Sequence, residues 1–258
     1  MTAVPGHVMN IVAGMTIEAL RDYGVPELPT YYRALAAACT ACPPPFGRNE
    51  YGDLYRSSAI DPDWVALSLL TAAQSEGEGA RHLWDMAACT PDAEIARQMK
   101  QHAIDEARHS RGYVTLLGLI FPEAVDEELR TRLRILSPGY TKSSPLVPKA
   151  GSPYAYPATV DELIQMNIAE IRTRIYQLLQ RPVLLDQYCK ADRRPSVRQI
   201  LDWLLVDETR HIAYTARLIE RAAQASGSEQ VMGLMRERVE DFNELTEQEI
   251  TQDTLVAA

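Results

Sequence analysis

Lysine is scarce in this chain of 258 residues: only four of its 26 basic residues are lysine, and 35 acidic residues leave a formal charge of −9. Nucleic-acid binding draws on clustered Lys and Arg, so this balance argues against it. No apolar run approaches the ~20 residues that a membrane-spanning helix needs. Met1 to Asn10 carry neither the basic start nor the apolar stretch of a secretory signal, so a cytoplasmic location is expected. Cysteine is sparse as well: Cys39, Cys42, Cys89 and Cys189. The one Cys-X-X-Cys, Cys39 to Cys42, lies in an alanine-rich helical stretch, and no second pair completes a zinc site, so buried thiols are expected.

Strand signals are also nearly missing, and helical periodicity fills the chain. Two short helices are predicted over Ile11 to Tyr23 and Glu27 to Ala41, then a linker from Cys42 to Ser58 that opens on Pro43-Pro44-Pro45. A helix from about Pro62 to Ala88 leads into another that runs to Phe121, with Thr90 as N-cap and Pro91 at its first position. So short a turn makes an antiparallel hairpin. Ser137 to Ala158, rich in Pro, Ser, Gly and Tyr, reads as a long irregular crossover. A third helix covers Val160 to Leu179, where Arg181-Pro182 should break or kink it. Ala191 to Pro195 turn into a fourth helix over Ser196 to Ala225, and a charged amphipathic helix spans Glu229 to about Ile250. The expected architecture is all-α and a single domain over 1–258. Within it, 62–225 form a four-helix bundle of two hairpins joined by one crossover, the connectivity of ferritin-like bundles. Additional helices precede it in 1–58 and follow it in 229–250.

Two matching motifs carry the chemistry: Asp105-Glu106-Ala107-Arg108-His109 and Asp207-Glu208-Thr209-Arg210-His211. Residues three apart share a helix face, so each motif aims a carboxylate and an imidazole at one point. That donor pair suits iron or manganese better than the sulfur-rich sites that take zinc. A single Glu-X-X-His arises easily by chance on a charged helix, whereas two in one pattern on opposite hairpins do not. The faces are apolar: Met99, Ala103 and Leu117 accompany the first motif, and Leu201, Leu204 and Ile212 the second. A carboxylate there is costly unless paired or bound to metal.

A dinuclear site needs one carboxylate from each remaining helix. Glu76 shares its face with Leu69, Ala72, Ala73, Ala80 and Leu83. Glu78 points about 200° away, beside Gln74 and His82, and is read as a solvated partner of His82. On the third helix Glu170 is the candidate and Glu162 the fallback; the stripe of Glu170 is mixed, with Asn167 and Gln177 on it. His102, one turn before Glu106, is either a third nitrogen ligand or a hydrogen-bonded buried histidine, and Tyr113 reads as a core hydrogen-bonding residue.

From Trp64 to Ala225 these residues resemble the ferritin-like di-iron carboxylate superfamily, which includes multicomponent monooxygenase hydroxylases, acyl-carrier-protein desaturases, ribonucleotide reductase small subunits and di-iron N-oxygenases. The resemblance is carried by the twin motifs and the 30-residue step from Glu76 to Glu106; the step from Glu170 to Glu208 is longer than usual. It implies metal ligands Glu76, Glu106, His109, Glu170, Glu208 and His211. It further implies that Asp105 orients His211, that Asp207 orients His109, and that Arg108 and Arg210 partner these aspartates. The His102 position is similar to the additional histidine of arylamine N-oxygenases, although there it precedes the second motif.

The function expected from the resemblance is a non-haem oxygenase or oxidase. It would hold two irons, or a manganese–iron pair, and use O2 to hydroxylate, N-oxygenate or desaturate a small organic substrate. A reductase or ferredoxin would supply electrons, and the protein would be a monomer or homodimer. A ferritin-like iron-handling or peroxide-detoxifying protein is the alternative.

Overall fold

A computed structural model of the chain describes residues 9–125 and 127–251. Among them are nine α-helices and no strand. They are α1 (Ile11–Asp22), α2 (Pro29–Ala41), α3 (Asn49–Ser58), α4 (Pro62–Cys89), α5 (Ala93–Ile120), α6 (Glu127–Leu133), α7 (Val160–Pro182), α8 (Arg194–Ser226) and α9 (Ser228–Thr251). No helix of the described residues is long and apolar enough to cross a membrane.

Local chemistry explains most boundaries. Asp61 caps α4 by accepting from the Asp63 N–H, with Pro62 at the first helical position. Thr159 caps α7 through the Glu162 N–H at 3.2 Å. α8 ends at Gly227, whose φ of +99° a side chain would resist. Three expectations are corrected. The Cys42 to Ser58 linker contains a 3₁₀ turn (Pro45–Gly47) and α3. Asp92 rather than Thr90 caps α5, because its carboxylate reaches the Glu94 and Ile95 N–H groups at 2.9 and 3.0 Å. Thr90 instead ends α4 and receives the Ala158 N–H at 3.0 Å. Pro182 does not break α7 at Leu179: the chain passes into a π-helical turn over Val183–Tyr188, where the altered bonding pattern accommodates the missing proline donor.

α4 packs along α5 and α7 along α8, each pair joined by a short connection, while α5 meets α8 and α9 lies over α2, α7 and α8. One continuous apolar cluster runs through them, with Leu69, Leu116, Ile164, Leu204 and Met235 fully or almost fully buried. The segment between α6 and α7 is tied to these helices by several contacts. Tyr140 stacks on Trp84 at 4.1 Å, the Lys149 N–H reaches Asp85 Oδ1 at 2.8 Å, and Arg81 holds the Ile135 and Leu136 carbonyls at 3.0 and 2.9 Å. Gly77 is required where Leu136 crosses, since a Cβ there would sit 2.2 Å from the Leu136 carbonyl oxygen.

Candidate metal centre

Four helices aim carboxylates and imidazoles at one region, all of them buried except the half-buried Glu170. α4 brings Glu76, α5 brings His102, Glu106 and His109, α7 brings Glu170, and α8 brings Glu208 and His211. Glu76 lies on the inward stripe of α4 with Leu69, Ala72, Ala73 and Ala80, while Glu78 is exposed. The pairing of Glu78 with His82 is not found: Glu78 accepts from Gln74 at 3.1 Å, and His82 stacks on Tyr154 at 4.0 Å.

The donors form two groups, His102, Glu106, Glu170 and His211 in one and Glu76, His109 and Glu208 in the other, with the ligand atoms of each group within 4.8 Å of one another. Glu106 Oε1 lies 3.0 Å from His102 Nε2, 3.3 Å from His211 Nδ1 and 3.5 Å from His109 Nδ1. Glu208 presents Oε1 to His109 Nδ1 and Oε2 to His211 Nδ1, both at 3.4 Å. Glu106 and Glu208 therefore stand between the two imidazoles. Glu76 Oε2 is 3.4 Å from His109, and Glu170 is 3.1 Å from His102 and 3.6 Å from His211.

These spacings suit donors around small divalent ions: two donors at right angles, each about 2.1 Å from an ion, lie about 3 Å apart. Several converging atoms have no hydrogen-bond partner although buried, namely His102 Nε2, Glu106 Oε1, His109 Nδ1, Glu208 Oε2 and His211 Nδ1. Buried polar atoms are rarely left so, and coordination to a metal would satisfy them together. Charge agrees, because the four glutamates carry four negative charges when ionised and two divalent ions carry four positive ones.

Without metal, burial first, and repulsion between neighbouring carboxylates second, push Glu76, Glu106 and Glu208 up to about 8. Burial also opposes the charge on Glu170, but the His102 charge and the closely facing His211 imidazole outweigh it and hold the carboxyl well below the usual range. His102 and His211 are raised well above an ordinary imidazole, because facing carboxylates overcome burial.

Behind the donors a supporting layer fixes their orientation. His109 Nε2 is 3.2 Å from Asp207 Oδ2, and His211 Nε2 is 3.6 Å from Asp105 Oδ2. Arg210 donates to both aspartates, at 2.6 Å to Asp105 and 2.7 Å to Asp207, and Arg108 pairs with the same two. Both aspartates sit below the usual carboxylate range, since the imidazoles and guanidiniums outweigh burial. Such partners set the imidazole tautomer and its basicity. His102 Nδ1 is 2.9 Å from the Tyr214 hydroxyl, which leaves Nε2 toward Glu106 and Glu170. Tyr113, fully buried, takes a hydrogen bond from Gln177 Nε2 at 3.2 Å, and the same amide donates to Glu208 Oε1 at 2.7 Å.

Gln177, Trp203 and Tyr214 have roles here that motif spacing did not assign. Trp203 packs 5.5 Å from His109 and lies under the Arg108 guanidinium at 4.9 Å; it fits because position 112 is glycine, whose Cβ would meet the indole at 2.7 Å. Glu162, the fallback, stands outside the donor groups, at a cavity of about 200 Å³ between α4 and α7 whose inner end is formed by Glu76, His102, Glu106 and Glu170.

In comparisons with known proteins, no family model, no curated protein and no solved structure matches this chain.

Proposed function

We propose that this protein is a ferritin-like, non-haem di-iron oxygenase or oxidase that uses O2 to oxidise a small organic molecule. The observation that carries this reading is the convergence of Glu76, Glu106, Glu170 and Glu208 with His109 and His211, in which Glu106 Oε1, His109 Nδ1, Glu208 Oε2 and His211 Nδ1 are buried without a hydrogen-bond partner. Carboxylate-rich donors with imidazole favour iron or manganese. His102 joins as a third nitrogen donor, because its inward nitrogen lies 3.0 and 3.1 Å from two of the glutamates. One group then offers two nitrogens and the other one, an asymmetry that gives the two metals different surroundings.

Bound iron would supply dioxygen binding and the electrons that activate it. The chain's own groups do the rest. Asp105, Asp207, Arg108 and Arg210 hold the imidazoles in place, and Gln177 fixes Glu208 while keeping the Tyr113 hydroxyl as an acceptor. The buried surround closes the site on its other sides, and the cavity gives a substrate access to Glu76, His102, Glu106 and Glu170. For hydroxylation, one oxygen atom enters the substrate and the other leaves as water, consuming two electrons and two protons. A separate carrier protein of the reductase or ferredoxin class provides the electrons. The cavity beside the donors favours substrate oxidation over iron storage.

Stopped-flow absorption of the ferrous protein mixed with oxygen tests this. The expected result is a visible transient whose decay is faster with one organic substrate than without. Steady formation of ferric mineral, indifferent to every substrate, would instead identify an iron-handling protein.

A further inference from the structure

The cavity between α4 and α7 differs chemically at its two ends. Its floor is the donor cluster, with Glu76, His102 and Glu106 buried, and its outer end carries half-buried His82 and Glu162. Glu162 precedes Glu170 by eight residues on α7, and His82 follows Glu76 by six on α4. At 1.5 Å per residue the outer end therefore stands about 9–12 Å from the floor. The rest of the wall is largely apolar, with Leu83, Met166, Ala169 and Phe242, and Ser75, Gln165 and Thr173 add neutral polar groups. A volume of about 200 Å³ over that length gives a width suited to one unbranched chain or a single ring.

The lining contains four glutamates and neither lysine nor arginine. Burial shifts the His82 imidazole below its ordinary value, toward the neutral form. Its ring stacks on Tyr154 at 4.0 Å, and its Nε2 is 3.5 Å from the Tyr156 hydroxyl. A carboxylate beside aromatic faces is a setting that attracts an ammonium group. An anionic head at the outer end would meet Glu162 and no lysine or arginine to pair with.

We propose that the cavity takes a slim, largely apolar molecule bearing a cationic amino group, with the ammonium held by Glu162 at the outer end and a carbon atom presented to the metal centre. This rests on the di-iron reading and sharpens it. The nitrogen stays at the entrance, so the oxidised atom is carbon, by hydroxylation or desaturation.

The test is calorimetric titration of anaerobic, ferrous-loaded protein with octylamine, octanol and octanoate, after metal content has been measured on the same sample. Octylamine should bind about tenfold tighter than octanol, the scale of one charge-assisted hydrogen bond, and octanoate weakest. Glu162→Gln should remove that preference, and Glu162→Lys should transfer it to octanoate. Exposure to oxygen should yield amines oxidised at carbon, with the nitrogen intact by mass spectrometry. Equal binding of amine and alcohol to iron-loaded protein, or unchanged amine affinity in Glu162→Gln, overturns the proposal alone. Protein that takes up no iron overturns the di-iron reading and this orientation with it.

Discussion

Metal binding should stabilise the fold more strongly as pH rises. In the metal-free protein Glu76, Glu106 and Glu208 are pushed up to about 8 from an ordinary 4.5. A carboxyl raised in the folded state contributes its stability fully below the unfolded value and loses it as pH climbs through the folded value. Stability of the metal-free protein should therefore fall between about pH 5 and pH 8. The imidazoles of His102, His109 and His211, also raised, act in the same direction, whereas the lowered Glu170, Asp105 and Asp207 contribute a constant amount over this range. Metal displaces the trapped protons and removes the penalty. Each ion at a free concentration of a hundred times its Kd adds about 2.7 kcal/mol, so two add about 5 kcal/mol. For a chain of this size about 2–4 °C accompanies each kcal/mol, so Tm should rise by about 10–20 °C. Differential scanning calorimetry with and without anaerobic ferrous ion, in steps from about pH 5.5 to 8, measures both effects. A metal-induced gain that is absent, or that shrinks toward pH 8, would show that these carboxylates do not gather around metal.

Other perturbations have defined signs. Gly77→Ala drives a methyl into the Leu136 carbonyl and should cost about 1–3 kcal/mol or more, whereas Gly118→Ala, with nothing within 4 Å, should be neutral or stabilise by up to about 1 kcal/mol; urea titration of both variants compares them. Asn167→Leu strips partners from the Tyr31 hydroxyl at 2.8 Å and from Thr215 at 2.8 Å. It should lower stability by about 2–4 kcal/mol through unsatisfied buried groups, seen as a reduced denaturation midpoint with an unchanged slope. Gln177→Leu removes a donor from Glu208 and should keep the iron content while shifting the visible absorption of the oxidised protein; an unchanged spectrum would deny Gln177 a positioning role. Asp207→Ala should weaken metal affinity by about 10–100-fold, because His109 loses its oriented partner; competition with a chelator reads this directly.

Much of the site was legible because helix periodicity is rigid. The twin motifs fixed which faces of α5 and α8 turn inward, and the alanine-rich stripe around Glu76 distinguished it from Glu78. The mixed stripe of α7 was harder to read, since Asn167 and Gln177 break its apolar pattern. The structure gives the reason: Asn167 bonds Tyr31 and Thr215, and Gln177 bonds Tyr113 and Glu208, so both are polar because they serve buried partners. Partnerships between distant segments leave no local trace. Nothing near Trp203 in sequence announces that it rests on Gly112 and His109, and nothing around His82 shows that Tyr154 and Tyr156 of the crossover reach it. α3 was hidden by the three prolines before it, and the π-helical turn after Pro182 depends on backbone bonding that composition does not encode.

We propose that Glu76, Glu106, His109, Glu170, Glu208 and His211, which converge in two donor groups, hold two metal ions. Elemental analysis after anaerobic ferrous loading and removal of free ion tests it most directly. The wild type should hold close to two irons per chain, and Glu106→Ala and Glu208→Ala should each lose most of that metal, since each carboxylate faces both His109 and His211. Wild-type protein that retains no metal, or variants that retain the wild-type complement, would contradict it.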